Sequence, residues 1–497
     1  MTSTRAGQTG GLRSRAVSGV VWTVSQQWSI RITGFVTIAI LTRLLSPAEF
    51  GTVALASSMI PFVQLVANMG LTTYLVQRDR PSDATFDTVF WYTGAVSLAL
   101  AGGMVAAGPF IGAFFDVDEL GPVVQLLAVV GPIALLGMVP TVLLRRALRF
   151  RTIALQSVVA GAIGQVVAIT LALLGAGVWA LVWQTITFQA VLTVLAWASA
   201  RWHPSWSFSS TELADMIRFG VKVVGGDVVA LVRGWLENVI VVAALGVTGL
   251  GYLNIAQRLV QVAHDLTTTP VTWVSMVIFA QIREAVDRLR AAYLRAQYLA
   301  HAMVVPVMVG LAVGSSLLLP LLFGDQWEQS IGPAQILALA GIVTLSGLDN
   351  GLFIGLGRPG TWLVYVAIVD AVTIGVAWLT APHGLVAFAL GFLCVAVLAT
   401  VARWFLVSRL LETSWWVIGK TLVRVLVPAA GAGAAGTAIV LVMEDTAPLL
   451  TLAVACVVVI AVYLPLIRFM LPAVWAELRD LIRAAVRRIR PKERESS

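Results

Sequence analysis

The chain has 497 residues, 59% hydrophobic and 12% charged, with a mean hydropathy of +0.91. Soluble domains carry roughly 25% charged residues, so a water-soluble globular protein is excluded and a polytopic membrane protein is expected. The net charge of +8 is arginine without interleaved aromatics or a base-reading module, which speaks against a nucleic-acid partner.

Residues 1–16 form a polar, basic N-terminal segment with no cleavable signal peptide expected, because the apolar run that follows is too long and has no small-residue cleavage site. A helix needs roughly 20 apolar residues to cross a bilayer core of about 30 Å. By that measure fourteen spans are expected, near 17–41, 50–76, 86–108, 121–144, 153–174, 177–200, 214–245, 250–280, 296–321, 333–356, 361–380, 384–407, 417–441 and 447–470. The expected fold class is therefore an all-α polytopic membrane protein. It comprises an N-lobe of six helices (17–205), a C-lobe of six (206–412), two further helices (413–470) and a basic amphipathic tail (471–497). Connections are short, and none holds a separate soluble domain. Cys394 and Cys456 lie in apolar runs, and His203, His264, His301 and His383 have no ligand spacing, so no disulfide framework, metal or cofactor is expected.

Loop arginines orient the spans. With the N-terminus in the cytoplasm, that side receives Arg78, Arg80, "RRALRFR" (145–151), Arg201, Arg218, the run Arg283 to Arg295, Arg358, Arg403 to Arg424 and the tail. The outer loops receive "DVDE" (116–119), "GDQWEQ" (324–329), "APHG" (381–384) and "EDT" (444–446), and among loop arginines only Arg43 falls outside. Both termini are expected in the cytoplasm. Val474, Leu478, Leu481, Ile482, Val486 and Ile489 recur at helical spacing in the tail with arginines opposite, which suits either a helix lying on anionic lipid or a topology signal alone.

"LLSPAEFGTVALA" (44–56) and "ALGVTGLGYLNIA" (244–256) align at an offset of 200, pairing Leu45 with Leu245, Gly51 with Gly251 and Ala56 with Ala256. Both join an odd span to the next even one, so spans 1–6 and 7–12 read as two copies entering the membrane in the same direction. Their pseudo-axis is expected along the membrane normal, a transporter architecture. "SPAE" (46–49) carries a capping box, with Pro47 at the first helical position and Glu49 closing on Ser46. "SSTE" (209–212) does the same for span 7.

Intramembrane polarity concentrates on the first two helices of each copy. Thr23, Gln27, Arg31 and Gly34 form one helical stripe, and Ser57, Pro61, Gln64, Asn68 and Thr72 another. Lys222, Gly226, Arg233 and Glu237 lie on one side of span 7. Asn254, Arg258, Gln261, Asp265 and Thr268 line span 8, widened by Gln257 and His264. A charge at the bilayer centre costs at least ~2.5–3.5 kcal/mol, so these residues are expected to face protein or water. One hydrated, slightly positive cleft follows. Arg31, Arg233, Arg258, Gln27, Gln64, Asn68, Asn254 and Gln261 are the candidate substrate path, and Glu237, Asp265 and Asp227 the candidate ion-coupling groups. Arg233 and Glu237, four apart, also suit mutual neutralisation, and Arg31 a structural pair; Asp349 and Asp370 are weaker candidates. Trp22, Trp28, Trp91, Trp179, Trp183, Trp327, Trp415 and Trp416 mostly sit near the expected span ends, as an interfacial belt predicts, with sugar stacking the alternative for one or two of them.

"ILTRLLSPAEFGTVALA" (40–56) and "LLRRALRFRTIALQSVVAGAIGQVVAITLALLGAGVWALVWQ" (143–184) resemble the Wzx-type polysaccharide flippases of the multidrug/oligosaccharidyl-lipid/polysaccharide exporter superfamily. The resemblance covers the first six spans by sequence and the remainder by span pattern. It implies two six-helix lobes forming a V with two extra C-terminal helices, in the bacterial cytoplasmic membrane. The implied activity moves undecaprenyl-pyrophosphate-linked oligosaccharide from the inner to the outer leaflet, with membrane lipids, a polysaccharide polymerase and chain-length machinery as partners. Arginine binds phosphate oxygens bidentately, which suits the pyrophosphate. The family supplies no strict site motif, so the arginines above rest on helical position alone.

Two other readings compete. A multidrug or small-molecule exporter of the same superfamily favours an acidic or aromatic cavity, and this chain leans basic. A membrane glycosyltransferase or polymerase is expected to expose catalytic groups on sizeable loops, whereas "GDQWEQ", with Asp325 and Glu328, is one short loop. No P-loop is present, so direct ATP use is not expected.

Overall fold

The computed structural model describes residues 34–479, apart from 80, 283–284, 345–346, 473 and 477–478. All regular secondary structure among the described residues is helical. Among the described residues, twelve helices are long and apolar enough to cross a membrane. The fourteen expected spans differ from these at two places. Span 17–41 lies mostly outside the described residues, and its end enters a short apolar helix, Gly34–Leu44. Spans 7 and 8 fall in one helical run, Ser210–Gln281, interrupted at Gly246 with φ 70° and ψ 176°. Glycine takes that conformation without a side-chain clash, so the chain breaks there between two helical segments. Elsewhere helices outrun the apolar stretches, as in Val286–Phe323. Its first turns, "VDRLRAAYLRAQ", are built from strong helix formers that need no lipid.

The chain divides into two compact units, Met1–Asn254 and Ile255–Ser497. By packing, Ser210 to Asn254 belongs to the first unit, although the 200-residue repeat assigns it to the second copy. The reasons lie at its two ends.

At its start, the segment 201–209 is fastened to the helix Asp83–Phe115. Asp87, 2% exposed, accepts from Ser205 N (3.1 Å), from the Ser205 hydroxyl and from Ser207 Oγ (2.7 Å). Trp91 donates to Ser205 O and stacks on Trp206 at 4.3 Å. Ser209 N donates to Thr88 Oγ1 at 3.0 Å. The "SSTE" cap is half made: Glu212 N donates to Ser209 Oγ, while Ser209 N is taken by Thr88. In the "SPAE" box both bonds form, Glu49 N to Ser46 Oγ at 3.3 Å and Ser46 N to Glu49 Oε2 at 2.6 Å.

Beyond Ser210 the helix runs antiparallel to the segment 47–78. Arg78 Nη2 lies 4.0 Å from Glu212 Oε1, Tyr74 meets Phe219 edge-on at 5.5 Å and Phe62 meets Trp235 at 6.1 Å. Glycines let the backbones touch twice. A Cβ on Gly220 would stand 1.7 Å from Met69 O, and one on Gly51 1.7 Å from Val247 O. Beneath this pair lies a core of Leu71, Leu75, Phe86, Val89, Phe90, Val139, Val142 and Met216.

In the second unit, Val286–Phe323 packs against Ile331–Val343 and the extra helices Trp415–Val442 and Pro448–Met470. Tyr463 ties the last of these to Ala302 O at 3.1 Å. Two expectations are corrected here. Trp327 is fully buried and is no interfacial anchor, because the short 3-10 helix Asp325–Ser330 folds back onto Val286–Phe323. Arg403 is no loop cation: the helix Leu385–Leu410 carries it, 4% exposed, against the acid Asp349.

Candidate functional site

The polar stripe of span 2 is positioned by a break. Helix Ile60–Asn68 ends with Met69 (φ 38°) and Gly70 (φ 74°), both left-handed, before Leu71–Gln77 begins. Glycine is suited to this geometry, and it also admits Gly220, whose Cα stands 3.0 Å from where a Gly70 Cβ would be. The break frees backbone N–H groups at the start of the next helix. Asn68 Oδ1 satisfies one, accepting from Thr72 N at 3.1 Å and from Thr72 Oγ1 at 2.9 Å. Asn68 thus caps the following helix while facing sideways.

The partner wall is broken too. The span Leu120–Arg146 is three short helices, with turns at 128–129 and Gly137. Carbonyls near the second break are taken by the helix Val178–Ala200: Thr193 Oγ1 donates to Ile133 O at 2.8 Å and Trp197 Nε1 to Leu136 O at 2.9 Å. Buried carbonyls left without donors are costly, so polar side chains are recruited into an otherwise apolar helix.

Between these walls lies a crevice of about 320 Å³. Its polar lining is Gln64, Asn68, Thr72, Thr141, Gln189, Thr193 and Arg145, over an apolar floor of Leu135, Met138, Val142 and Leu192. Arg145 is exposed at its edge. The next residue behaves oppositely. Arg146 turns inward and donates to Leu75 O (2.6 Å), Val76 O (3.3 Å), Arg78 O (2.8 Å) and Asp79 O (3.2 Å), closing the helix Leu71–Gln77 at its C-terminus. Chemically the crevice offers amide and hydroxyl groups matched to sugar hydroxyls, with one guanidinium for an anion.

Of the residues expected to line a substrate path, Gln64 and Asn68 are in this crevice. Arg233 Nη1 is ion-paired with Glu237 Oε2 at 2.9 Å, one turn on, and Glu237 is buried. This is the mutual neutralisation that their spacing allowed. Asp227 is exposed on the same helical run, and Asn254 is half-buried at the end of the first unit. Arg258 and Gln261 are exposed on the second unit. Arg31 and Gln27, and the side chains of Asp265 and Lys222, lie outside the described residues. Sequence reasoning missed Arg145, which counted only as a topology signal, and Gln189 with Thr193. The signal for the latter was their spacing of four in an apolar span, the distance that stacks two residues on one helical face.

The sequence profile described as "Polysaccharide biosynthesis protein" matches residues 40–332. The chain belongs to the polysaccharide biosynthesis protein family. Members of similar sequence include the succinoglycan biosynthesis transport protein ExoT of Rhizobium meliloti, 28% identical over 77% of this chain and 78% of that protein. The teichuronic acid biosynthesis protein TuaB of Bacillus subtilis is 25% identical over 76% and 82%. The lipopolysaccharide biosynthesis protein WzxC of Escherichia coli is 22% identical over 80% and 82%. Among solved structures, the fold is shared with the lipid II flippase MurJ, at TM-score 0.75 and 15% identity over 93% of this chain and 100% of that one. It is shared less closely with an inward-facing multidrug resistance MATE family transporter, at TM-score 0.56 and 17% identity over 80% and 96%. This family member is therefore a multi-pass membrane protein of polysaccharide biosynthesis, and it shares the helical fold of MurJ and, less closely, of that MATE family structure.

Proposed function

We propose that this protein is a flippase for undecaprenyl-pyrophosphate-linked oligosaccharide repeat units, carrying them across the bacterial cytoplasmic membrane for cell-surface polysaccharide assembly. The observation that carries the reading is the crevice of amides and hydroxyls with Arg145 at its edge, in a chain otherwise apolar enough to live in lipid. A glycan requires many neutral hydrogen-bonding groups, and a pyrophosphate requires a fixed positive charge. The polyprenyl tail requires neither, and stays in the bilayer. The family membership supports the same pathway.

The finer architecture of this reading is fourteen helices, as two six-helix lobes (17–205 and 206–412), two further helices and a cytoplasmic tail, with both termini in the cytoplasm. Arg31, Arg258, Gln27, Asn254 and Gln261 extend the polar path from Gln64 and Asn68. Arg233 serves it when released from Glu237, and Glu237, Asp265 and Asp227 are the groups through which an ion gradient acts. Lipid-linked oligosaccharide is the substrate, and a polymerase with chain-length machinery receives the product.

The test is a deletion strain whose undecaprenyl-linked material is extracted after labelling from one side of the membrane. Complete repeat units held on the cytoplasmic leaflet are the expected result. A normal leaflet distribution with altered drug sensitivity would replace this reading with a drug exporter, and flipped but unpolymerised units would replace it with an enzyme.

A further inference from the structure

The second unit contains a buried ionic cluster that the proposed path does not use. Helix Ile331–Val343 stops, and the next, Gly347–Gly355, begins four residues on. The carbonyl of Val343, the last residue before the break, accepts from Thr400 Oγ1 at 2.9 Å and from Arg403 Nη2 at 3.1 Å. Arg403 Nη2 also reaches Thr400 Oγ1 at 3.4 Å. Arg403 Nε stands 3.0 Å from Asp349 Oδ2, an ion pair whose N–H is not aligned for a hydrogen bond. The other carboxylate oxygen accepts from the Tyr293 hydroxyl and from Gln297 Nε2 at 3.5 Å, and Gln297 donates to Tyr293 at 2.7 Å. Asp349 is 0% and Arg403 4% exposed.

Seen from the guanidinium, the surroundings are a backbone carbonyl at a helix break, a carboxylate and a hydroxyl. All are hard oxygen ligands, of the kind that hold hard cations. Broken membrane helices whose freed carbonyls meet a carboxylate are where transporters hold Na⁺ or H⁺. Here a positive charge is already present, covalently attached. A bare carboxylate in this place carries a large desolvation cost, so in the folded state it is met either by a cation beside it or by a proton on it.

We infer that the guanidinium of Arg403 is a tethered cation filling an alkali-cation site made by Val343 O, the Asp349 carboxylate and Thr400 Oγ1, so that this site takes no exchangeable inorganic cation. The alternative is a plain buried salt bridge that only holds helices together. The two differ in what happens when Arg403 is removed. A cation site accepts an alkali ion in its place, whereas a salt bridge simply breaks. The inference does not depend on the identity of the transported substrate.

The experiment is thermal unfolding of the purified full-length protein in NaCl, LiCl, KCl or choline chloride at equal ionic strength. Wild type is expected to unfold at the same midpoint in all four. Arg403→Ala is expected to fall in choline and to recover at least half of that loss in Na⁺ or Li⁺. Arg403→Ala with Asp349→Asn is expected to show no cation selectivity. Arg403→Gln, which keeps an amide N–H for Val343 O, is read in the same way where the alanine variant does not fold. Three results would overturn the inference: a Na⁺-selective wild type that loses its selectivity in Asp349→Asn; equal midpoints for folded Arg403→Ala or Arg403→Gln in every salt; or failure of both single variants to fold in any salt.

Discussion

Gly51 and Gly251 stand face to face. A Cβ on Gly51 would lie 1.7 Å from Val247 O and 2.9 Å from Gly251 N, and a Cβ on Gly251 would lie 1.9 Å from Pro47 O. These contacts are reciprocal. Gly51 meets Val247, and Gly251 meets Pro47, each position being its counterpart shifted by 200. That is the pattern of a self-complementary twofold contact, made here by two copies of one motif in a single chain. The aligned glycines of the repeat are therefore paired in space as well as in sequence.

This contact leaves no room for a methyl group on either side, and what it would strike is backbone. Gly51→Ala and Gly251→Ala are each expected to destabilise by ~1–3 kcal/mol, the range for overpacking. Gly102→Ala, where a Cβ would meet nothing within 4 Å, is expected to be neutral or slightly stabilising. Unfolding midpoints of the purified variants check this, and a neutral Gly51→Ala would show that the two motifs separate at little cost.

The adjacent arginines 145 and 146 have opposite tasks. Arg146 closes a helix through backbone carbonyls, and hydrogen bonds from a charged donor contribute ~1.5–3 kcal/mol. Arg146→Ala is expected to lower stability, and Arg146→Lys to restore only part of it, because lysine lacks the planar fork. Arg145→Ala is expected to leave stability and membrane abundance unchanged while reducing export at least tenfold. Abundance by immunoblot, set beside surface polysaccharide, separates the two. The same assay applies to Arg31→Ala, which is expected to abolish export with the protein still in the membrane; unchanged export would remove Arg31 from the path.

Asp87 holds the segment 201–209 by three hydrogen bonds from Ser205 and Ser207. Asp87→Ala is expected to release that segment and make it sensitive to limited proteolysis, with cleavage between Arg201 and Ser209. Ser207→Ala, which removes one bond of the three, is expected to have a smaller effect. Cleavage that is no faster in Asp87→Ala than in wild type would mean that the Trp91–Trp206 stack suffices to hold it.

Gln64 lines the crevice with an amide free to turn toward a ligand. Gln64→Leu is expected to reduce export without loss of stability, because it removes a sugar-facing group and adds apolar surface. Gln64→Asn is expected to retain more activity. Surface polysaccharide yield at matched protein levels measures both, and equal yields from Gln64→Leu and wild type would take this wall out of the path.

Much of this protein is determined by its sequence alone. Apolar runs of membrane-crossing length place nearly every described helix, since a backbone in lipid has to satisfy its own hydrogen bonds. The "SPAE" box, the paired glycines at an offset of 200 and the stripe through Gln64 and Asn68 follow from periodicity and capping chemistry. Tertiary structure decided which polar groups meet. The Asp349–Arg403 pair joins residues 54 positions apart through a helix break, and no local pattern points from one to the other. Asp87 reads as an ordinary acid near the start of its helix until a segment more than a hundred residues on returns to it. Arg145 and Arg146 are indistinguishable as neighbours in an arginine-rich loop, and they part only because successive helical residues point about 100° apart, one toward bare carbonyls and the other toward the crevice.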